Sequence, residues 1–205
     1  QLAESLPSDG QELIVRSLAD RKDVSAVPAI IEMTGNEHEN VRTAALEALG
    51  GIGTPQAVEH LAKAAGTAAD REKQVARASL IRIKGDGIDE ALIAAANSGE
   101  PESRVEVIRA MGQRAERKAF PALLKIARTD TQASVRQEAL VSMARIGNPG
   151  DIDALLKLAI TPKDPADRPA VERAVVIMFN KMPDNNAQAK PVIAALKNAP
   201  NDARP

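Results

Sequence analysis

The sequence contains no cysteine, tryptophan or tyrosine, and phenylalanine occurs only twice in 205 residues. Without cysteine the chain forms no disulfide bond and offers no thiolate as a nucleophile or metal ligand. With aromatic residues at 1%, the core must be filled by alanine, leucine, isoleucine, valine and methionine. These residues favour the helical state and let neighbouring helices approach closely. The missing residues therefore exclude thiol chemistry and favour closely packed helices.

The chain also lacks an excess of charge of either sign. Its 27 basic and 28 acidic residues give a net charge of −1, so no overall field draws it onto nucleic acid or an acidic membrane. No apolar run approaches the roughly 18 residues that a membrane span requires, and no signal-peptide pattern is visible. We therefore predict neither a nucleic-acid partner nor a membrane span, and the compartment stays open.

One segment recurs along the chain at nearly regular intervals. From Val41 it reads VRTAALEALGGIG, with Val41, Ala45, Leu46 and Leu49 on one apolar helical face and three glycines that are predicted to end the helix. Related helices begin near residues 10, 41, 75, 103, 135 and 171, at spacings of 28 to 36 residues. Self-similarity at this period is typical of stacked helix pairs.

A second type of helix follows each of these segments, as in AVPAIIEMT from residue 26 and AFPALLKIA from residue 119. Proline holds the same place in three copies, predicted to be the first helical turn, where its missing N–H costs little: Pro28, Pro121 and Pro191. No segment alternates with period two, so no strand is predicted. In the first helix of the chain, near residues 10–19, the side chains of Leu13, Ile14 and Leu18 are predicted to point inward.

The pattern VRxxALxxLGxIG followed by AVPxLIxL resembles HEAT repeats, most closely the short HEAT-like class of phycobilisome lyases, over roughly residues 10–198. The resemblance implies an all-α, right-handed α-α superhelix, or solenoid, of about six helix pairs. In such a repeat the helix that carries the Val-Arg motif is the second of its pair, and these helices would line a concave face. They are named the inner helices below. The other helices are named outer helices. For function, the resemblance implies a binding surface.

We expect residues 1–205 to form a single array, because no linker is rich enough in glycine or serine to divide it. The array begins with an inner helix and finishes on an outer one, near residues 187–198, without clear polar caps. The chain is therefore predicted to be part of a longer chain, whose other domains it would contact.

In HEAT repeats an Asp or Asn in the turn commonly lies six residues before the Arg at the second position of the inner helix. The pairs Asn36–Arg42 and Asp130–Arg136 keep this pattern, whereas serine precedes Arg104. The three arginines allow two interpretations, an anion-binding ladder or bonds to turn carbonyls and to acids between repeats. We favour the second.

Some families with similar repeats carry out chemistry. Deoxyhypusine hydroxylase binds two irons through His-Glu pairs in its inner helices, but no histidine stands at the matching positions: Thr43-Ala44, Arg77-Ala78, Val105-Glu106 and Gln137-Glu138. His38 and His60 are too far apart in sequence to make a good metal site. HEAT-like DNA glycosylases and bilin lyases need aromatic side chains, which are missing here. We predict no enzymatic activity, cofactor or metal. A lyase-like or hydroxylase-like enzyme acting on a bilin or protein substrate is the alternative.

One stripe of the inner helices lies off the core face. It carries Ile81, Arg109, Val141 and Ile177 about two turns before each helix ends, and Arg77 one turn earlier on its helix. If the inner helices line a concave face, these side chains point into it. Aliphatic side chains mixed with arginine favour binding of a protein or peptide, although adjacent repeats would alternatively bury the aliphatic members. The sequence thus predicts a non-catalytic interaction scaffold and leaves its partner unnamed.

Overall fold

The computed structural model describes residues 6–182 and 185–197, apart from the side chains of residues 185–188 and 196. Within these residues the chain is all-α, with twelve α-helices, four short 3-10 turns and no strand. The α-helices are α1 Ser8–Asp20, α2 Val27–Met33, α3 Glu39–Ile52, α4 Pro55–Thr67, α5 Asp70–Arg82, α6 Ile88–Asn97, α7 Pro101–Gln113, α8 Phe120–Thr129, α9 Ala133–Ile146, α10 Ile152–Ile160, α11 Arg168–Phe179 and α12 Asn185–Lys197. Asn198, the predicted end of the last outer helix, lies outside the described residues.

The odd-numbered helices are the inner helices of the sequence pattern. Each begins two to five residues before its predicted start, and the difference is largest in α5, which begins at Asp70 instead of Val75. The first turn of α5 is polar and carries Asp70 and Glu72, whose charges are favourable beside the positive end of the helix dipole. The predicted start of α5 was its first apolar residue, Val75, and the prediction therefore missed this turn.

The chain forms two compact units, residues 1–110 and 111–205, with the boundary inside α7. In the first unit α1 packs on α3 and α3 on α5, while α2 packs on α3 and α4 on both α5 and α6. In the second unit α8 packs on α9, α9 on α11, and α10 on α11 and α12. Helices thus contact their nearest neighbours along the chain, as in helical repeats. A single array over the whole chain stays a prediction.

Each unit has an aliphatic core that the inner helices help to form. The predicted apolar face of α3 is confirmed, because Val41, Ala45, Leu46 and Leu49 are all at most 1% exposed. In the second unit the side chains at the same kind of position are also buried, among them Leu140. Full burial of one such side chain stabilises the fold by about 1.5–3 kcal/mol.

The glycines of α3 differ in their roles, although all three were predicted to end the helix. α3 continues through Gly50 and Gly51, and only Gly53 ends it, in the left-handed conformation with φ 76°. A Cβ atom at Gly53 would lie 1.9 Å from the carbonyl oxygen of Lys84, and one at Gly50 would lie 2.6 Å from the Cβ atom of Ser79. Gly53 is therefore a helix cap, whereas Gly50 allows α5 to approach α3.

The prediction that Leu13 points inward is wrong, because its side chain is 66% exposed. Gln11 and Val15 form the buried face of α1 instead. Gln11 is satisfied there, since its amide nitrogen donates to the carbonyl oxygen of Leu6 at 2.9 Å and its oxygen accepts from Asn36 at 2.8 Å. A polar side chain whose nitrogen and oxygen are both hydrogen-bonded can thus occupy a core position that hydropathy assigns to leucine.

The three prolines of the outer helices also occupy different positions. Pro28 and Pro121 lie in the first turn of α2 and α8, as predicted. Pro191 lies inside α12, because this helix begins at Asn185, six residues earlier. The prediction that Pro191 opens its helix is therefore wrong.

We expect Leu49→Ala to lower the free energy of unfolding by about 2–5 kcal/mol, because the side chain is fully buried and its loss leaves a cavity. Leu13→Ala is the matched control, and its exposed side chain predicts a change within about 0.5 kcal/mol. Urea denaturation followed by circular dichroism measures both values. Equal losses in the two variants would contradict the assignment of the core face.

Candidate partner-binding surface

Arg42 links three parts of the first unit. Its Nη1 atom donates to the carbonyl oxygens of Asn36 at 2.7 Å and Glu37 at 2.8 Å, in the turn that precedes α3. Its Nε and Nη2 atoms donate to the Glu72 carboxylate on α5, at 2.9 and 2.7 Å. The side-chain oxygen of Asn36 stabilises the same turn by accepting from the backbone N–H of His38 at 2.9 Å. One guanidinium therefore holds its own turn and the next inner helix.

Arg136 repeats this arrangement in the second unit. Its Nη1 atom donates to the carbonyl oxygens of Asp130 and Thr131 at 3.0 and 3.1 Å, and its Nε atom lies 2.5 Å from Oδ2 of Asp167. This ion pair is buried, since both side chains are 3% exposed. Oδ1 of Asp167 is buried without a hydrogen-bond partner among the described residues, so the arginine provides the main compensation for this carboxylate.

Arg104, the third of the arginines near the start of the inner helices, donates from Nε to the carbonyl oxygen of Ala96 at 2.9 Å. All three guanidinium groups are thus engaged with carbonyl or carboxylate oxygens of the chain itself. The structural interpretation is confirmed for Arg42 and Arg136, whereas the bond shown for Arg104 goes to a carbonyl oxygen of helix α6.

Two of the five predicted surface residues, Arg77 and Arg109, bind the same carboxylate. Arg77 donates to Glu106 from Nε at 2.7 Å and from Nη2 at 2.5 Å, and Arg109 donates to it from Nη1 at 2.8 Å. The Glu106 side chain is only 6% exposed, whereas those of Arg77 and Arg109 are 40% and 32% exposed. Burial alone would raise the pKa of Glu106, but the hydrogen bonds and charges of the two arginines outweigh it and hold the pKa below its ordinary value.

The sequence-based prediction did not identify Glu106 as the partner of these arginines. Glu106 lies 29 residues after Arg77, close to one repeat length. The pair Arg42 and Glu72 has a separation of 30 residues. An arginine followed by an acid one repeat later is the signal that could have found both pairs.

On α1 and α3 the positions equivalent to the stripe hold the charged residues Arg16 and Glu47. Arg16 on α1 donates to Glu12 at 2.9 Å and to Glu47 on α3 at 3.1 Å. Ile81 is half-buried. In this unit the stripe therefore consists largely of side chains that bind one another.

The second unit presents aliphatic side chains at the same positions. Val141 on α9 and Ile177 on α11 are each 43% exposed. The Nζ atom of Lys181 donates to the carbonyl oxygens of Arg145 at 2.7 Å and Gly147 at 2.9 Å. Lys181 and Arg145 each lie four residues beyond these aliphatic residues, so Val141 and Ile177 occupy the same level of two packed helices.

The packed helices α9 and α11 run in the same direction. The buried pair of Arg136 and Asp167 joins their N-terminal ends, and the bonds of Lys181 join their C-terminal ends. One turn before the aliphatic level, the same faces carry Gln137 and Arg173, both exposed. The second unit therefore has a surface of three levels, named the α9–α11 surface below. Its levels are Gln137 with Arg173, Val141 with Ile177, and Arg145 with Lys181.

In the first unit the structure brings Arg77 and Arg109 together around Glu106, and in the second unit it brings Val141 beside Ile177. The aliphatic members in the second unit remain open to solvent. A binding role for Arg77, Ile81, Arg109, Val141 and Ile177 stays a prediction.

A cavity that was not predicted lies on the outer helices of the first unit. A cavity of about 550 Å³ is lined by α4, α6 and the start of α7. Small side chains form much of its wall, including Ala62, Ala91 and Ala95, and its charged members include Glu59 and Lys63. The sequence pattern treats outer helices only as packing partners and carries no signal for this cavity.

In the described part of the chain, no group of three or more His, Asp or Glu side chains is placed to hold a metal ion. His38 lies in the turn before α3 with its Nε2 atom 3.3 Å from Glu37. None of the described helices has the length and apolar character to cross a membrane.

A family model described as HEAT repeats matches residues 1–81 and 89–175 of this chain. Among solved structures, human deoxyhypusine hydroxylase in complex with glycerol is 19% identical, with 86% of this chain and 81% of that chain covered and a TM-score of 0.47. An engineered protein is 21% identical, with 97% and 62% covered and a TM-score of 0.45. A designed armadillo repeat protein is 17% identical, with 86% and 96% covered and a TM-score of 0.40.

These structural similarities concern the fold alone. No curated protein matches this chain significantly by sequence. The predicted all-α fold of HEAT-like repeats is confirmed. The narrower similarity to phycobilisome lyase repeats stays a prediction.

We expect Glu106→Gln to lower the melting temperature at pH 7, because two arginines lose their anionic partner. The folded pKa of Glu106 lies below its ordinary value of 4.5, so its carboxylate stabilises the fold above that pH. This stabilisation is lost as the pH falls from 4.5 through the lower folded pKa, and the variant and parent should then converge. Thermal melts between neutral and acid pH measure the difference.

The control is Glu32→Gln on α2, an exposed glutamate without an ion pair among the described residues. The melting temperature of this variant should stay close to that of the parent across the same pH range. A stability loss in Glu106→Gln that does not change with pH would contradict the role of its charge.

Proposed function

Because this chain belongs to the HEAT-repeat family, we propose that it is a non-catalytic interaction module that binds a protein or peptide partner through its inner helices. The fold alone does not decide function, so the proposal rests on the surface of these helices. The side chains involved are the five stripe residues, considered unit by unit.

The exposed aliphatic pair on α9 and α11 carries the proposal. Val141 and Ile177 lie at the same level of two packed helices, and each is 43% exposed. Val176, the residue before Ile177 on α11, is also exposed, at 57%. Adjacent exposed aliphatic side chains gain free energy when a partner covers them and excludes water.

In the first unit, Arg77, Ile81 and Arg109 are the proposed contacts. The two arginines keep 40% and 32% of their side-chain surface while they bind Glu106. Glu106 thus fixes their orientation in advance, which reduces the conformational entropy that a partner must overcome. Ile81, one helical turn after Arg77, adds a half-buried aliphatic side chain.

The balanced charge and missing aromatic residues favour a polypeptide over a nucleic acid as the partner. The net charge is −1, and neither tryptophan nor tyrosine is available to stack on bases. The inner helices offer aliphatic contacts and fixed guanidinium groups, a combination that suits a protein surface.

The double variant Val141→Glu with Ile177→Glu tests this proposal. The parent chain is immobilised to capture partners from the source cell, and one captured protein is purified for binding measurements. We expect the variant to bind it with a free-energy loss of about 2 kcal/mol or more, roughly a 30-fold higher Kd, because two carboxylates replace the aliphatic contacts. The variant should keep its helicity and melting temperature, since both positions are exposed.

Val24→Glu is the matched control, because Val24 is an exposed aliphatic residue away from the inner helices, with 60% of its surface open. It should bind the partner as the parent does. Unchanged binding by the Val141 and Ile177 double variant would contradict the proposal and redirect attention to the cavity on the outer helices.

A further inference from the structure

We propose that the α9–α11 surface binds an acidic segment of a partner protein that carries an aliphatic residue between acidic ones. This inference rests on the proposed function and specifies the chemistry of the partner. It concerns only the second unit, where the three levels of side chains defined above form one continuous surface.

The aliphatic level of this surface is flanked by basic residues on both sides. One turn before Val141 and Ile177 the surface carries Arg173, and one turn after them it carries Arg145 and Lys181. Glu138 directly follows Gln137 on α9, and Glu172 directly precedes Arg173 on α11. Each glutamate is therefore rotated about 100° around its helix from the residues of this surface. Asp151 interacts electrostatically with Lys181, and the two arginines supply the remaining positive charge around the apolar centre.

The arginines of this surface differ from those that bind the chain's own acids. Arg173 donates from Nε to the Pro169 carbonyl oxygen of its own helix, and neither Arg173 nor Arg145 pairs with a carboxylate among the described residues. In contrast, Arg136 and Arg117 of the same unit bind Asp167 and Asp151. Two exposed guanidinium groups are therefore left for external carboxylates, which they recognise with bidentate geometry.

The spacing of the levels defines what the partner must present. Successive levels lie four residues apart on a helix, which corresponds to about 6 Å. A partner helix with acid, aliphatic and acid residues at intervals of four matches this spacing, as does an extended strand with the same groups at every second residue. In either case the aliphatic residue covers Val141 and Ile177 while the acids meet the basic levels.

A nucleic acid fits the same surface less well. Its phosphates would find the guanidinium groups, but its bases would meet Val141 and Ile177, which offer no aromatic face for stacking. An aliphatic side chain gains free energy from the same contact by excluding water. The composition of the surface thus favours an acidic polypeptide.

The test uses short, terminally blocked helical peptides with one terminal tryptophan, whose fluorescence reports binding because this chain has neither tryptophan nor tyrosine. The probe peptide carries glutamates four residues before and after a leucine. One control peptide has lysines instead of the glutamates, and another has serine instead of the leucine. We expect the probe to bind at least about 10-fold more tightly than either control and to weaken as salt is added.

On the protein side, Arg145→Glu with Arg173→Glu should weaken binding of the probe at least about 10-fold and should bind the lysine peptide better than the parent does. This exchange of preference shows that the variant is folded. Lys125→Glu with Arg128→Glu is the control, since it makes the same change of charge on exposed residues of the outer helix α8. It should bind the probe as the parent does.

The inference is overturned if no peptide binds, if the lysine peptide binds the parent as well as the probe does, or if a single-stranded oligonucleotide binds these arginines more tightly. If peptides bind at Val141 and Ile177 with an affinity that does not depend on peptide charge, the preference for an acidic partner is contradicted, but the proposed function is not. Unchanged binding of the captured partner by the Val141 and Ile177 double variant would contradict both this inference and the proposed function.

Discussion

The structure depends on arginines that bond to the turn before their own helix and to a carboxylate about one repeat later. Arg42 and Arg136 make this double connection in the first and second unit, through Glu72 and Asp167 respectively. The interaction sets the distance between consecutive inner helices, because the guanidinium is planar and its donors have fixed directions. Aliphatic packing supplies most of the stability around it, but aliphatic side chains alone do not fix such a register.

These ion pairs also determine which charges remain for binding. In the first unit, Glu106 engages both Arg77 and Arg109, and Glu47 engages Arg16, so much of the inner surface is satisfied within the chain. In the second unit the equivalent positions hold Val141 and Ile177, and the nearby Arg145 and Arg173 form no ion pair with a carboxylate among the described residues. The two units therefore use the same helical positions for different purposes, internal connection in one and an open surface in the other.

The repeats, the all-α fold and the core face of α3 could be predicted because they depend on the spacing of apolar residues along one helix. The roles of Arg42 and Arg136 were predictable for a similar reason, since their turn contacts lie only five or six residues away. Glu106 was missed because its partners become neighbours only after two helices pack. Leu13 was misplaced because hydropathy cannot show that the nitrogen and oxygen of Gln11 both find hydrogen-bond partners in the core.

A double-mutant cycle on Arg136 and Asp167 tests most directly whether these pairs connect the repeats. The variants are Arg136→Met, Asp167→Asn and their combination, compared by urea denaturation. We expect each single change to lower the free energy of unfolding by about 3–5 kcal/mol, because it leaves a buried charge unpaired. The combined variant should lose about 1–3 kcal/mol less than the sum of the two single losses. The exposed pair of Arg16 and Glu47 should show an interaction energy below about 1 kcal/mol. Additive losses for Arg136 and Asp167 would contradict the connecting role of the buried pair.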